Sequence, residues 1–266
     1  MSQLTAASLG AIAGFTIFIG LPVARVRGLP RPVQGFLNAL ATGVLVFLLW
    51  DILAHAGAPV ESALKHTGSA GFGRFAGLAA VFAAGLGVGL LSLIYFNGAL
   101  SRRVRGPEHA GGAPPTPQAL GMMIATGLGL HNFSEGLAIG QSAATGAIAF
   151  VGVLVVGFAL HNITEGFGIA APMTMAPKPV SWGFLGLTGL IGGAPTFLGS
   201  LVGYLFRSDF VYVLFLALAA GAIVYVLNEL FVLGRRITTP RVMGWGVLTG
   251  LLAAYSTDLL LTYFGG

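Results

Sequence analysis

GMMIATGLGLHNFSEGLAIGQSAATGAIAFVGVLVVGFALHNITEGFGIAA, residues 121–171, holds two long apolar runs, and each run carries one copy of nearly the same polar phrase. HNFSEG occupies residues 131–136 and HNITEG residues 161–166. A charged side chain at the centre of a membrane helix costs about 2.5–3.5 kcal/mol on insertion scales. A chain that accepts this cost in both runs has a use for the polar groups, and the surrounding sequence narrows down that use.

The 266 residues are 56% apolar and only 8% charged, with 42 glycines. Soluble domains carry about a quarter charged residues, so this composition predicts a membrane protein. A spanning helix needs about 20 residues. Apolar runs at roughly 4–24, 33–56, 71–100, 118–142, 145–171, 180–206, 210–233 and 241–263 predict an all-α protein of eight transmembrane helices. The first run lacks a basic n-region and an A-x-A-like cleavage site, so it reads as a retained helix and no signal peptide. No run is left for a soluble domain, and residues 1–266 read as a single transmembrane domain.

The net charge of +5 is a topology signal, and no nucleic-acid partner is expected. Basic residues at 25, 27, 31, 102, 103, 105, 178, 235, 236 and 241 all fall in the loops after the first, third, fifth and seventh helices. Only Lys65, Arg74 and Arg207 fall on the other side. Positive loops face the cytoplasm. Both termini are therefore expected outside, with the loop between the third and fourth helices in the cytoplasm. That loop is SRRVRGPEHAGGAPPTPQ, residues 101–118, a Gly- and Pro-rich linker holding His109. It divides the helices into a 3+2+3 arrangement with the motif pair at the centre.

Six stretches match G-x-x-x-G: GAIAG (10–14), GRFAG (73–77), GLGVG (85–89), GLAIG (136–140), GSLVG (199–203) and GVLTG (246–250). Small residues four apart let helix backbones approach closely inside a bilayer.

His131 and Glu135 are four apart, so they share one helix face. Asn132 lies about 100° round from His131. His161, Asn162 and Glu165 repeat this geometry. If the two motif helices face each other, two imidazoles, two carboxylates and two amide oxygens converge, a ligand set for Zn²⁺, Fe²⁺, Mn²⁺ or Co²⁺. Two such glutamates would repel unless a cation or a proton stood between them. The chain has no cysteine, which excludes disulfides and thiolate metal sites.

The two phrases resemble the H-N-x-P-E-G signatures on the fourth and fifth helices of the ZIP (Zrt/Irt-like) family of divalent metal transporters, in its bacterial-type form. The resemblance extends to eight helices, external termini and a cytoplasmic loop after the third helix. It implies adjoining metal sites formed by His131, Asn132 and Glu135 with His161, Asn162 and Glu165. It also implies import into the cytoplasm, a multi-pass protein of the inner or plasma membrane, a homodimer, and an elevator-like movement against a scaffold. The metal, zinc first with iron, manganese, cobalt and cadmium after it, would be cargo, with no cofactor and no enzymatic activity.

Three departures from the family pattern stand out. Ser134 and Thr164 replace the motif prolines. Ala194, in GLIGGAPTFLG, stands where many relatives carry a bridging glutamate, so one bound metal becomes as reasonable as two. Leu45 occupies the place of a methionine ligand of some relatives. Further along the expected path, Asp51 and His55 are four apart near the outer end of the second helix and suit a hand-over of cations. Gln141 is placed at the outer mouth. Asn228 and Glu229 resemble an acidic pair on the exit side. Asp258 matches no motif, and Met173 and Met175 read as packing. Two other classes compete with transport: an intramembrane zinc-dependent hydrolase, which would lack H-E-x-x-H and any recognisable nucleophile motif, and a non-transporting metal-sensing relative.

Overall fold

A computed structural model of the chain describes residues 1–65, 69–105 and 115–265, and these contain helices and turns but no strand. Eight helices follow one another: α1 (Gln3–Arg25), α2 (Arg31–Lys65), α3 (Ser69–Arg105), α4 (Pro117–Ala144), α5 (Ile148–Ala170), α6 (Trp182–Leu205), α7 (Asp209–Ile237) and α8 (Pro240–Gly265). Five of them start where a hydroxyl can cap the first turn: Ser2, Thr116, Ser181, Ser208 and Thr239 each accept a backbone N–H three residues on, which satisfies one of the orphan donors of a helix start.

Each apolar run of the sequence becomes one helix, with several differences of length. α2 continues through Pro59 to Lys65. α3 runs on to Arg105 and α4 begins at Pro117, so both ends of the expected 101–118 linker are helical. The middle of that linker, residues 106–114 with His109, lies outside the described residues. α1 is interrupted after Phe15 and tightens into a 3₁₀ turn over Leu21–Arg25, where Pro22 sits. α5 likewise ends in a 3₁₀ turn, Ala171–Met175, around Pro172. A proline is tolerated in the first turn of such a segment because its missing N–H would be unpaired there anyway.

α1, α2, α3, α6, α7 and the unit Ile148–Met175 are long and apolar enough to cross a membrane. Among the described residues, six of the eight expected spans meet this measure. α4 falls short because it carries His131, Asn132, Ser134, Glu135 and Gln141. Large apolar side chains such as Trp50, Phe72, Val88, Tyr95, Leu190 and Trp245 are exposed on the outside of the bundle, as expected where lipid replaces water. The chain is a multi-pass membrane protein.

Packing does not follow the 3+2+3 order. α4 makes its most extensive interface with α6, and α1 packs on α4, α5 and α6. α2 packs on α3, α7 and α8, and α3 on α7. Two four-helix groups result, α1–α4–α5–α6 and α2–α3–α7–α8, joined mainly where α4 meets α7 and α5 meets α8. The motif pair therefore takes one partner helix from each flank of the sequence.

Glycine spacing explains these interfaces. Gly136 faces the backbone of Thr196 and Gly199 on α6, and Gly199 and Gly203 face Phe133 and Leu137 on α4. Gly10 and Gly14 face α6, Gly85 and Gly89 face α7, and Gly246 and Gly250 face α2. GRFAG differs: Gly73 meets nothing within 4 Å. The motif's closing glycine belongs to the same system, since a Cβ on Gly136 or Gly166 would enter the backbone of α6 or α1 respectively.

Polar contacts tie the two ends of the bundle. At one end Arg27 donates to the Ala176 carbonyl at 3.2 Å, Arg25 donates to that of Val180, and the Arg25 guanidinium lies 4.7 Å from the centre of the Trp182 ring. At the other end Arg74 pairs with Asp209, Arg207 donates to the Gln141 carbonyl at 3.1 Å, and the Tyr204 hydroxyl donates to that of Met1 at 2.7 Å.

Candidate metal centre

α4 and α5 run side by side in opposite directions, and their motif copies meet halfway along the bundle. His131, Asn132, Glu135, His161, Asn162 and Glu165 are all buried. The two imidazole rings lie 6.1 Å apart between centroids. All six residues singled out by the sequence are thus brought together, but in two layers.

The upper layer is His131, Glu135 and His161. One ligand atom from each lies within 4.8 Å of the others. His131 Nε2 stands 3.5 Å from Glu135 Oε1 and His161 Nε2 stands 3.7 Å from Glu165 Oε1, too long for hydrogen bonds. Bonds of about 2.0–2.1 Å at a tetrahedral angle place two ligands roughly 3.3 Å apart. The His–Glu spacings approach that value, and the triad would close onto an ion with small side-chain movements. Both nitrogens of His131, Glu135 Oε2 and His161 Nε2 are buried without a hydrogen-bond partner among the described residues. Buried polar atoms are normally paired, so these orphaned donor atoms suit an ion as their missing partner.

The lower layer is a hydrogen-bonded clamp. Asn132 Nδ2 donates to Asn162 Oδ1 at 2.9 Å, Glu165 Oε2 at 2.8 Å and the Gly192 carbonyl at 3.0 Å. Asn162 Nδ2 in turn donates to the Ala13 carbonyl at 3.0 Å. α4, α5, α6 and α1 are thereby pinned together just beneath the triad. Asn132 Oδ1 and Glu165 Oε1 remain without partners among the described residues. Below the clamp, Ile17, Leu21, Ile124, Leu128 and Ile169 form fully packed apolar core.

Above the triad lies a cavity of about 290 Å³. Its walls come from α4 (Ser134, Ala138), α5 (Phe150, Leu154, Phe158), α7 (Tyr212, Leu216), α2 (Asp51, His55) and α8 (Thr257, Asp258). Phe150 and Tyr212 are in the first turns of their helices, and Asp258 is near the end of its own. The cavity therefore opens at the end of the bundle that carries the α4–α5 and α6–α7 turns, opposite the Arg25 and Arg27 loop.

Asp51 and His55 belong to this wall, as their spacing suggested. His55 Nδ1 lies 3.2 Å from Asp51 Oδ1 and 2.9 Å from the Asp51 carbonyl oxygen. Gln141 is absent from the lining; its carbonyl serves Arg207 and Thr145 at the helix end instead. Asn228 is exposed and Glu229 half-buried near Arg236, far along α7 from the cavity. Ala194 is half-buried on α6 and Leu45 fully buried in the core. Met173 is packed against Gly121, in agreement with a packing role.

Residues 102–232 match the family model of the ZIP zinc transporters. The motif-bearing stretch, just under half of the chain, is thus of the ZIP family. The matched stretch contains both motif copies, all of α4, α5 and α6, and most of α7. The ZIP family implies divalent metal transport, with the ion as cargo. No curated protein matches the chain. Sequence reasoning gave no place at the site to three polar residues of the cavity wall: Tyr212, Thr257 and Asp258. Asp258 carried the one usable signal, as one of few acids inside an apolar helix.

Proposed function

We propose that the protein imports a divalent transition metal, zinc first and iron, manganese, cobalt or cadmium after it, through the intramembrane site on α4 and α5. The observation that carries this reading is the buried His131–Glu135–His161 group with orphaned ligand atoms at the floor of a one-ended cavity. Asn132, Asn162 and Glu165 form the lower part of the site, where the carboxylate can join a bound ion as the clamp rearranges.

Ten of the thirteen basic residues favour one set of loops, which puts those loops in the cytoplasm and both termini outside. The cavity then faces outward, and Asp51 and His55 stand where an incoming cation would first meet ligands. Delivery inward requires the clamp and the apolar core beneath it to open. The division into two four-helix groups supports a sliding of α1–α4–α5–α6 against the other group. The protein acts in the inner or plasma membrane as a homodimer, a reading that the family resemblance supports.

The test is flux into proteoliposomes loaded with a metal-sensitive dye, with Zn²⁺, Mn²⁺, Fe²⁺, Co²⁺ and Cd²⁺ presented in turn. Saturable flux is expected for at least one ion, and Glu135→Ala is expected to abolish it. Wild-type flux in that variant would sink the assignment.

A further inference from the structure

Ser134 stands where the family signature has proline, and its surroundings give it a job that proline could not do. It is one residue before Glu135 and three after His131, so it shares their side of α4, and it lines the same cavity. Its side chain is 2% exposed, yet its hydroxyl has no hydrogen-bond partner among the described residues.

Among the buried helical hydroxyls described, Thr196 Oγ1 on α6 shares that isolation, but Thr196 does not line the cavity. A helical serine or threonine normally turns its hydroxyl back to a carbonyl three or four residues earlier. Ser8, Ser92, Ser200 and Ser256 all do so here, donating to Leu4, Gly89, Thr196 and Leu252. Thr164, the equivalent residue of the second motif copy, donates to the His161 carbonyl at 2.6 Å. Ser134 makes no such bond, and its buried oxygen is left unpaired in a residue that lines the cavity.

We propose that Ser134 is a metal-binding residue of the transport site, a neutral oxygen ligand that biases the site towards harder divalent ions; this rests on the transport reading above. His131, Glu135 and His161 supply two nitrogens and one carboxylate oxygen. A four-coordinate ion needs one ligand more, and the Ser134 hydroxyl is a buried, unused donor on the same wall. Hydroxyl oxygen suits Mn²⁺ and similar ions, whereas a sulfur ligand would favour Cd²⁺.

Because the chain has no cysteine, Ser134→Cys introduces the only thiol, which makes the test direct. The full-length protein is purified in lipid nanodiscs, and Mn²⁺ and Cd²⁺ affinities are measured for wild type, Ser134→Ala, Ser134→Cys and Glu135→Ala. Ser134→Ala is expected to bind Mn²⁺ about tenfold more weakly while the metal-free Tm stays at the wild-type value. Ser134→Cys is expected to raise the Cd²⁺-over-Mn²⁺ preference about tenfold or more, and Cd²⁺ should block alkylation of the introduced thiol by N-ethylmaleimide. The preference ratio is read within one protein, so a general loss of stability does not mimic it. An unchanged ratio with a thiol that Cd²⁺ leaves reactive overturns the role of Ser134. If Glu135→Ala has lost binding at the same time, the site reading survives and only this inference fails. If Glu135→Ala binds as wild type does, the site reading itself fails.

Discussion

HNFSEG on α4 and HNITEG on α5 differ at two positions, Phe133 against Ile163 and Ser134 against Thr164, yet the fold gives them unequal work. In the first copy, His131 and Glu135 both reach the cavity and leave ligand atoms unpaired. In the second, only His161 lines the cavity, while Glu165 is held by Asn132 and Asn162 by the backbone of α1. The difference comes from what packs alongside. α4 lies against α6 and α7 with the cavity above its polar face, whereas α5 lies against α1, whose carbonyls take up its asparagine. Residues repeated in a sequence share chemistry, and their neighbours decide whether that chemistry is spent on structure or left free for a ligand.

Glu135 and Glu165 make the sharpest test of this inequality. Glu135→Ala removes a carboxylate from the cavity triad, so metal affinity should fall on the order of a hundredfold. The metal-free Tm should hold or rise, because a buried and incompletely partnered carboxyl is lost with it. Glu165→Ala also weakens binding, but it strips an acceptor from Asn132 and should lower the metal-free Tm as well. Titration calorimetry and thermal unfolding on both variants separate the cases. Equal behaviour of the two in both measurements would erase the distinction between ligand layer and clamp.

Asn132 probes the clamp itself. Asn132→Ala leaves Asn162 Oδ1, Glu165 Oε2 and the Gly192 carbonyl without their shared donor. A buried group left unpaired costs about 1–3 kcal/mol, so unfolding in urea should show a loss of roughly that size. The effect on metal binding should be smaller than that of Glu135→Ala, since the cavity triad remains. An Asn132→Ala protein of wild-type stability would mean that the clamp contributes nothing to holding α1, α4, α5 and α6 together.

The helices were readable because composition and apolar run length marked each of them. The grouping of the helices was not readable. G-x-x-x-G marks a surface that will be approached closely but does not name its partner, and nothing in GAIAG or GLAIG says that both face α6. The six motif residues were visible for a different reason, since polar side chains repeated inside apolar runs are conspicuous. Their division into two layers was hidden, because it depends on carbonyls of Ala13 and Gly192, which any residue type supplies. Tyr212 and Thr257 were hidden too, as single residues on helices far along the chain. Ser134 was noticed for the proline it replaces, while the missing partner of its hydroxyl is a property of the packed helices.

Thr164 offers the smallest effect and the cleanest control for the inequality of the two copies. Its hydroxyl is already satisfied by the His161 carbonyl, and it does not line the cavity. Thr164→Val keeps the side-chain shape and gives up only a local bond to a carbonyl that the helix ladder also serves. The stability change should stay within about 0.5 kcal/mol, and the Cd²⁺-over-Mn²⁺ preference should match wild type. Both are read by thermal unfolding and paired metal titrations in nanodiscs, beside the Ser134 variants. Were Thr164→Val to shift metal preference as far as Ser134→Cys does, the residue at this place in either copy would act on the ion. The two phrases would then be equivalent in function as well as in sequence, and the asymmetry seen in their hydrogen bonding would be a feature of one conformation along the transport cycle.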